Sequence, residues 1–363
     1  LGCDLSVNCT ADKTQVTLSG LSNNFNASVA LFEDLLVSVV GDEQALMNLK
    51  LTEMKARSDA KLNKQIIRRA MTNYARFGAN SSYTNVLSEQ ELESLTSAEL
   101  VDLIHNLTSY SHMITYYGPE DINEVVSDLS TLHKSQINLN PVPKKKDFAE
   151  LEMEEAKVYV VDYDMKQAEI IIQSKGDKLD MSKYAEIKFH NEYFGGGMSS
   201  IVFQDMRESK ALAYSVYSTY TIPRETSKSH YLFSYIGTQA DKLEEAMKGM
   251  NDLLINMPEA ESNMNNAKES IEQKIRTERF TKSRIIDEYL RAKKLGIDYD
   301  VRKDLYDVVE TFDMNTLKDF HDAYIAQGTR VIIVLGKKED IDLDILSNYG
   351  EVEHLTLEDV FGY

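Results

Sequence analysis

The feature that narrows the fold most is a repeat. Leu18 to Leu36 and Ile236 to Leu254 each run from a strand end through a loop into a helical pattern carrying Asp-Leu-Leu, as Asp34-Leu35-Leu36 and Asp252-Leu253-Leu254, an offset of 218 residues. The same offset pairs Gly118 with Gly336, each closing a strand-like run and each followed by an acidic helical pattern. Two matches at one offset indicate a duplicated unit in which strands and paired helices alternate. That order suits an α+β fold of two homologous domains, each an antiparallel sheet packed against long helices. The second copy spans about 155 to 363, and its portion before Tyr231 maps to positions earlier than residue 13. The first copy is therefore expected to lack its front third.

Local patterns fill in this scheme. Residues 3 to 9 and 14 to 19 alternate on either side of Thr10-Ala11-Asp12-Lys13 and read as a hairpin. Asn23 or Asn24 can cap a helix through Val29, Leu31, Phe32, Leu35, Leu36 and Val39. A second, long helix is expected from about residue 44 through Leu46, Met54, Ile67 and Met71 to Phe77, with Gly78 as its stop. Ser88 and Ser97 open two more helices whose early acids favour the dipole. Met113 to Tyr117 reads as a strand, and Glu120 to Leu132 as an amphipathic helix. Between Ser135 and Asp147 two prolines and Lys144-Lys145-Lys146 resist both regular forms. The expected divisions are an N-terminally truncated first domain over 1–134, a linker over 135–150, and a complete second domain over 151–363.

The chemistry concentrates between Phe189 and Tyr217. Gly195, Gly196 and Gly197 have no side chains to exclude a ligand and can adopt backbone angles closed to other residues, so they break the helical run before them. Ile201, Val202, Phe203 and Met206 then sit at helical spacing and carry Arg207. Seven residues on, Tyr214 opens the alternating run Tyr214, Val216, Ser218, Tyr220, which reads as a strand. An arginine leaving a helix and a tyrosine entering the next strand can converge on one ligand. The same residues also fit an ordinary helix-to-strand turn.

Charge excludes one class of partner. With 59 acidic against 40 basic residues the chain carries −19, which repels phosphate backbones, so no nucleic-acid partner is expected. The longest apolar runs, such as Val331 to Leu335, are strand-sized, so no membrane span is expected. Cys3 and Cys9 fall on one face of the first strand, roughly 20 Å apart at strand rise, beyond disulfide reach. Both are expected as buried free thiols.

Four features together resemble the insulinase/pitrilysin-type zinc metallopeptidases, also called inverzincins. They are the Gly195-to-Ser200 loop, the Phe203-Gln204-x-x-Arg207-Glu208 helix, the Ala211-Leu212-Ala213-Tyr214-Ser215-Val216 strand entry, and the duplicated α+β domain. The family's zinc helix carries H-x-x-E-H, and this sequence has none: no histidine among 105, 112, 133, 190, 230, 321 and 354 has a histidine partner three or four residues away. His190 with Glu192 comes nearest, but positions two apart face different sides of a helix, so His190 is expected to be solvated or capping. The resemblance is therefore to the C-terminal, inactive half.

What the resemblance implies is a half that holds no catalytic zinc or base of its own, with zinc expected in the missing N-terminal half or a partner subunit. That half would bind unfolded peptide and complete the active site of the zinc-bearing half. Arg207 and Tyr214 match the family's substrate-contacting pair, and Gly195, Gly196 and Gly197 lie along its peptide path. For this chain alone an enzymatic activity is left open; the longer protein would be a zinc-dependent metalloendopeptidase. The alternative is a non-catalytic peptide-binding or scaffold subunit of a peptidase-like complex.

Overall fold

The computed structural model describes residues 1–10, 12–135, 138–281 and 283–363. Ala11 in the first turn and Gln136 and Ile137 in the expected linker lie outside the described residues. β1 (Asp4–Cys9) and β2 (Thr14–Ser19) pair antiparallel, with Asp4 opposite Ser19 and Cys9 opposite Thr14. This ribbon forms a separate two-stranded sheet, and β1 is exposed along its length. Cys9 is consequently exposed and Cys3 half-buried, both free. The expected burial of these thiols is corrected, because two strands alone cover neither of their faces.

α1 (Phe25–Ser38) follows, then α2 (Glu43–Ala60), whose N-cap Asp42 accepts from the N–H groups of Gln44 and Ala45. The stripe expected to continue as one helix to Phe77 is instead broken. Leu62 and Asn63 donate to Asp59 and Ala60 in tight three-residue turns, and α3 (Lys64–Phe77) starts afresh. The chain forms two compact units, one of Leu1–Asn63, Asn85–Phe148 and Tyr363, the other of Lys64–Thr84 and Ala149–Gly362. The break thus assigns α2 to one unit and α3 to the other.

The first unit continues with α4 (Glu89–Ser94), α5 (Ser97–His105) and α6 (Ile122–Leu132). α4 and α5 each begin with a reciprocal capping box, Ser88 with Glu91 and Thr96 with Glu99. Met113 to Tyr117 carries a strand's composition but forms none. A strand needs neighbours to take up its N–H and C=O groups, and in this unit the only sheet is the β1–β2 ribbon among the described residues.

The second unit runs β3 (Lys157–Asp162), β4 (Gln167–Lys178), α7 (Tyr184–Phe194), β5 (Ser215–Tyr220), β6 (Ser229–Gln239), α8 (Leu243–Ile255), α9 (Glu261–Thr277) and α10 (Ser283–Lys294). It ends with α11 (Arg302–Val308), α12 (Met314–Tyr324), β7 (Val331–Gly336), α13 (Leu343–Ser347), β8 (Glu351–Leu355) and α14 (Leu357–Phe361). The sheet order is β5-β6-β4-β7-β3-β8. Its pairs are antiparallel from β5 to β7, while β3 runs parallel to both β7 and β8. The chain is thus α+β, with antiparallel pairing predominating.

Period-two alternation sorts the strands' side chains onto two faces. Val158, Val160, Ile170, Ile172, Val216, Ile236, Ile332 and Val334 join the main core with residues of α7, α8 and α12. On the opposite face α3 buries Ile67, Ala70, Met71 and Ala75, where each large apolar side chain contributes about 2 kcal/mol. Arg68 and Lys64 there reach the buried Glu169 at 3.2 and 3.1 Å, and the Arg76 Nε donates to Gln173 at 2.6 Å.

Secondary structure repeats at the spacing seen in the sequence. α1, α2, α3 and α5 start within one residue of 218 positions before α8, α9, α10 and α12. Met113 to Tyr117 corresponds to β7, a strand held between β4 and β3.

Candidate functional site

Between α7 and β5 the backbone leaves regular form three times. α7 ends at Phe194, and Gly195 turns so close to β5 that a Cβ there would sit 2.3 Å from the Ser218 carbonyl oxygen and 2.5 Å from its nitrogen. Only glycine permits this approach. It lets the Ser218 N–H donate to the Gly195 carbonyl at 3.3 Å. Four residues earlier, the Asn191 side-chain amide treats Tyr220 as a strand neighbour would. Its Oδ1 accepts from the Tyr220 N–H at 2.7 Å, and its Nδ2 donates to the Tyr220 carbonyl at 3.0 Å.

Gly195 is thereby buried, while Gly196 is exposed and Gly197 half-buried. The rest of the loop is pinned through its carbonyls. Gln204 donates to the Met198 oxygen at 2.6 Å and Asn263 to the Ser199 oxygen at 2.7 Å. The Met198 side chain is left 77% exposed.

The second departure carries Arg207. Phe203–Ser209 forms a π-helical turn, a rare form found often at functional positions, and the Lys210 N–H closes it onto the Asp205 carbonyl at 3.0 Å. The guanidinium lies 4.9 Å over the Phe203 ring, and its Nε is 3.7 Å from a Glu208 oxygen. Both partners are exposed, so this weak contact leaves most of the five donors to solvent.

The third departure is Ala211, held at φ 50°, a left-handed angle that costs a non-glycine residue of order 1 kcal/mol. The Lys242 ammonium donates to the Ala211 carbonyl at 3.0 Å, and the buried Thr238 hydroxyl to the Leu212 carbonyl at 2.6 Å. Both hold the approach to Tyr214, whose N–H bonds Gly237 at 2.8 Å. The Tyr214 side chain is 55% exposed, and its hydroxyl oxygen accepts from Gln239 Nε2 at 2.6 Å.

The structure therefore brings the glycine loop and Tyr214 onto one edge strand, about 13 Å apart at strand rise. Arg207 belongs to the π turn that feeds this strand. Sequence reasoning missed Asn191, Gln239 and Lys242, which position the others. Asn191 left one readable signal, an amide four residues before a glycine loop that follows a helix.

Gly195→Ala is expected to destabilise the chain by about 1–3 kcal/mol, because its clash is with backbone. Gly197→Ala meets nothing closer than a Glu192 carboxylate oxygen at 3.6 Å and should stay within about 0.5 kcal/mol. Thermal unfolding of the two variants checks the difference, and equal midpoints would refute the packing role of Gly195.

His190 corrects an expectation. It is neither solvated nor capping but 2% exposed, stacked on Phe194, with Nε2 3.1 Å from His321 Nδ1. His321 Nε2 in turn meets the Leu254 carbonyl at 3.1 Å. Burial pushes His321 down to about 4 and His190 well below its ordinary range. The two partners are 131 positions apart, a distance that no local pattern bridges. Among the described residues no three histidine, cysteine or carboxylate groups gather in a way that could hold a metal, and no helix is long and apolar enough to cross a membrane.

Residues 94–271, which contain the glycine loop, the π turn and β5, match the family model described as the peptidase M16 inactive domain. This chain carries a peptidase M16 inactive domain. The fold agrees. A peptidase M16 inactive domain from Pseudomonas fluorescens superimposes with a TM-score of 0.70 at 15% identity, over 93% of this chain and 81% of that one. The periplasmic protease PqqL from Escherichia coli superimposes with a TM-score of 0.66 at 13% identity, over 93% of this chain. This chain spans only 37% of PqqL. In sequence, an uncharacterized zinc protease, YmxG of Bacillus subtilis, is 35% identical over 88 residues, 24% of this chain and 21% of YmxG. The family is the one expected from the glycine loop, and the M16 inactive domain here includes both Arg207 and Tyr214.

Proposed function

We propose that this chain is the C-terminal, zinc-free half of an insulinase-type metallopeptidase, binding unfolded peptide and completing the active site of a zinc-bearing half. One observation carries the reading. Within Phe203 to Tyr214 a π turn and a left-handed alanine hold Arg207 and Tyr214 in solvent, with the exposed Glu208 3.7 Å from the guanidinium and Gln239 on the Tyr214 hydroxyl. Local strain of this kind is retained where the geometry serves a ligand.

The chemistry follows from the donors. Gln239 takes a lone pair of the Tyr214 hydroxyl, so the hydroxyl proton is free to point at a peptide carbonyl or at the oxyanion formed from it. Arg207 offers a planar fork to a second carbonyl. Gly196, Gly197 and the exposed Met198 present backbone and an adaptable apolar side chain to an extended chain. Zinc in the other half would polarise the scissile carbonyl and supply the attacking hydroxide. The domain scheme belongs to the same proposal: 1–134 as a first domain and 151–363 as a second, supported by helices that recur 218 positions apart.

Peptide binding and hydrolysis test it. The 363-residue chain should bind a fluorescent unstructured peptide without cutting it, and should raise the hydrolysis rate of a separately produced half carrying H-x-x-E-H. Peptide binding with no rate gain would transfer the chain to the scaffold reading, and absence of peptide binding would reject both.

A further inference from the structure

The two copies of the repeat can be laid on each other residue by residue, and their burial differs. β1 pairs with β2 from Asp4 opposite Ser19 to Cys9 opposite Thr14, and β5 pairs with β6 from Ser215 opposite Gly237 to Tyr220 opposite Leu232. Ser19 and Gly237, like Thr14 and Leu232, are again 218 positions apart, so β1 is the counterpart of β5 and Leu5 that of Val216. Leu35 corresponds to Leu253 and Ile114 to Ile332 at the same offset. Leu103 corresponds to Phe320 when the capping boxes at Thr96 and Asp313 are aligned.

In the second unit these positions are core. Val216, Leu253, Phe320 and Ile332 are 6%, 5%, 3% and 2% exposed and belong to one cluster. In the first unit Leu5, Leu35, Leu103 and Ile114 are 44%, 44%, 67% and 49% exposed. Single apolar side chains at a surface are ordinary, but four at positions that the other copy buries mark a face made to be covered.

The second unit also shows what does the covering. β4 lies between β6 and β7, bonds to both, and gives Ile170 and Ile172 to the cluster. α7 comes next in the chain and adds Ile187 and Phe189, with its His190 ring 5.0 Å from that of Phe320. In the first unit, among the described residues, β2 pairs with β1 alone and no strand flanks residues 113–117. One added strand would take up the backbone groups of both, as β4 does for β6 and β7. A second copy of this chain has no such strand to give, because its β4 is already paired on both edges.

We infer that this face of the first unit binds a partner polypeptide that contributes an apolar strand followed by an amphipathic helix, the strand pairing with β2 and residues 113–117 and the helix covering Leu103. The surface is separate from the proposed peptide site, whose residues all belong to the second unit. The probe is a synthetic polypeptide with the sequence of residues 167–194, the strand and helix that cover the equivalent face. Added to the full chain, it should bind as one equivalent and slow amide exchange at residues 14–19 and 113–117 by about tenfold or more. The same polypeptide carrying Ile170→Asp and Ile172→Asp should not bind. Leu103→Asp and Ile114→Asp in the chain, both at exposed positions and so compatible with its fold, should each weaken binding by about tenfold. Unchanged exchange at both segments under saturating polypeptide would overturn the proposal. Slowing confined to β6 and β7 would also overturn it, since the polypeptide would then be displacing β4. A dimer of the chain that Leu103→Asp abolishes would give the face to a second copy and overturn it as well.

Discussion

Tyr214→Phe, assayed with a zinc-bearing half, is expected to lower kcat by about 10²–10³-fold with KM nearly unchanged, the size of effect seen when one donor to a forming oxyanion is removed. The substitution deletes one oxygen and keeps the ring, so the strand entry should persist. What disappears is the hydroxyl proton that the Gln239 contact at 2.6 Å leaves free to donate. Arg207→Ala should behave differently. A guanidinium that holds a ground-state carbonyl contributes to binding and transition state alike, so its loss should appear mainly in KM, with partial recovery in Arg207→Lys. Because both residues are exposed, unfolding free energies should move by less than about 0.5 kcal/mol. Rates within twofold of the unaltered pair would exclude Tyr214 from the chemistry.

A second large effect is a loss of stability in acid, originating in the buried His190 and His321. Both are held neutral by burial, so their folded values lie below the ordinary 6.5. The unfolded chain then takes up protons first as the pH falls. Their stabilising contribution is complete above about 6.5 and is lost as the pH falls below it; for His321 the loss runs toward about 4, at ~1.4 kcal/mol per pH unit. His321 alone should cost about 3 kcal/mol across that window. Around it stand Asp322, which favours the charged form, and Arg330, which opposes it. Denaturant titrations between pH 7 and 4 should show a flatter dependence for a His190→Leu/His321→Leu double variant than for the unaltered chain. Parallel curves for the two would refute this origin.

Most of the second unit was legible because its signals are local. Short continuous apolar runs at Val158, Ile170, Tyr231 and Val331 formed strands, and the runs before Gly195 and after Gln239 formed helices. Most of the misses depend on a partner remote in sequence. β8, whose Glu351-Val352-Glu353-His354-Leu355 lacks an apolar run, is a strand because β3 pairs with it in parallel. Met113 to Tyr117 has the run and lacks the neighbours. The helix predicted through residues 44 to 77 carried apolar residues across Leu62, so periodicity could not show a break made locally, by the three-residue turns that Leu62 and Asn63 close. At the site, Arg207 and Tyr214 were readable as residue types at a spacing, whereas Asn191 and Gln239 gain their roles only from what they touch.

The clamp on β5 has a further consequence, for solubility. An edge strand is a template for other chains, copies of the same chain included. Asn191 and Gly195 take the outward N–H groups of Tyr220 and Ser218, shutting half of that edge with the protein's own atoms. At the far side of the sheet β8 presents Glu351 and Glu353, charges that repel a second copy of the same strand. Asn191→Leu would reopen the β5 edge, and fibrillar self-association, rather than a fall in melting temperature, is the failure to which such a molecule would be prone.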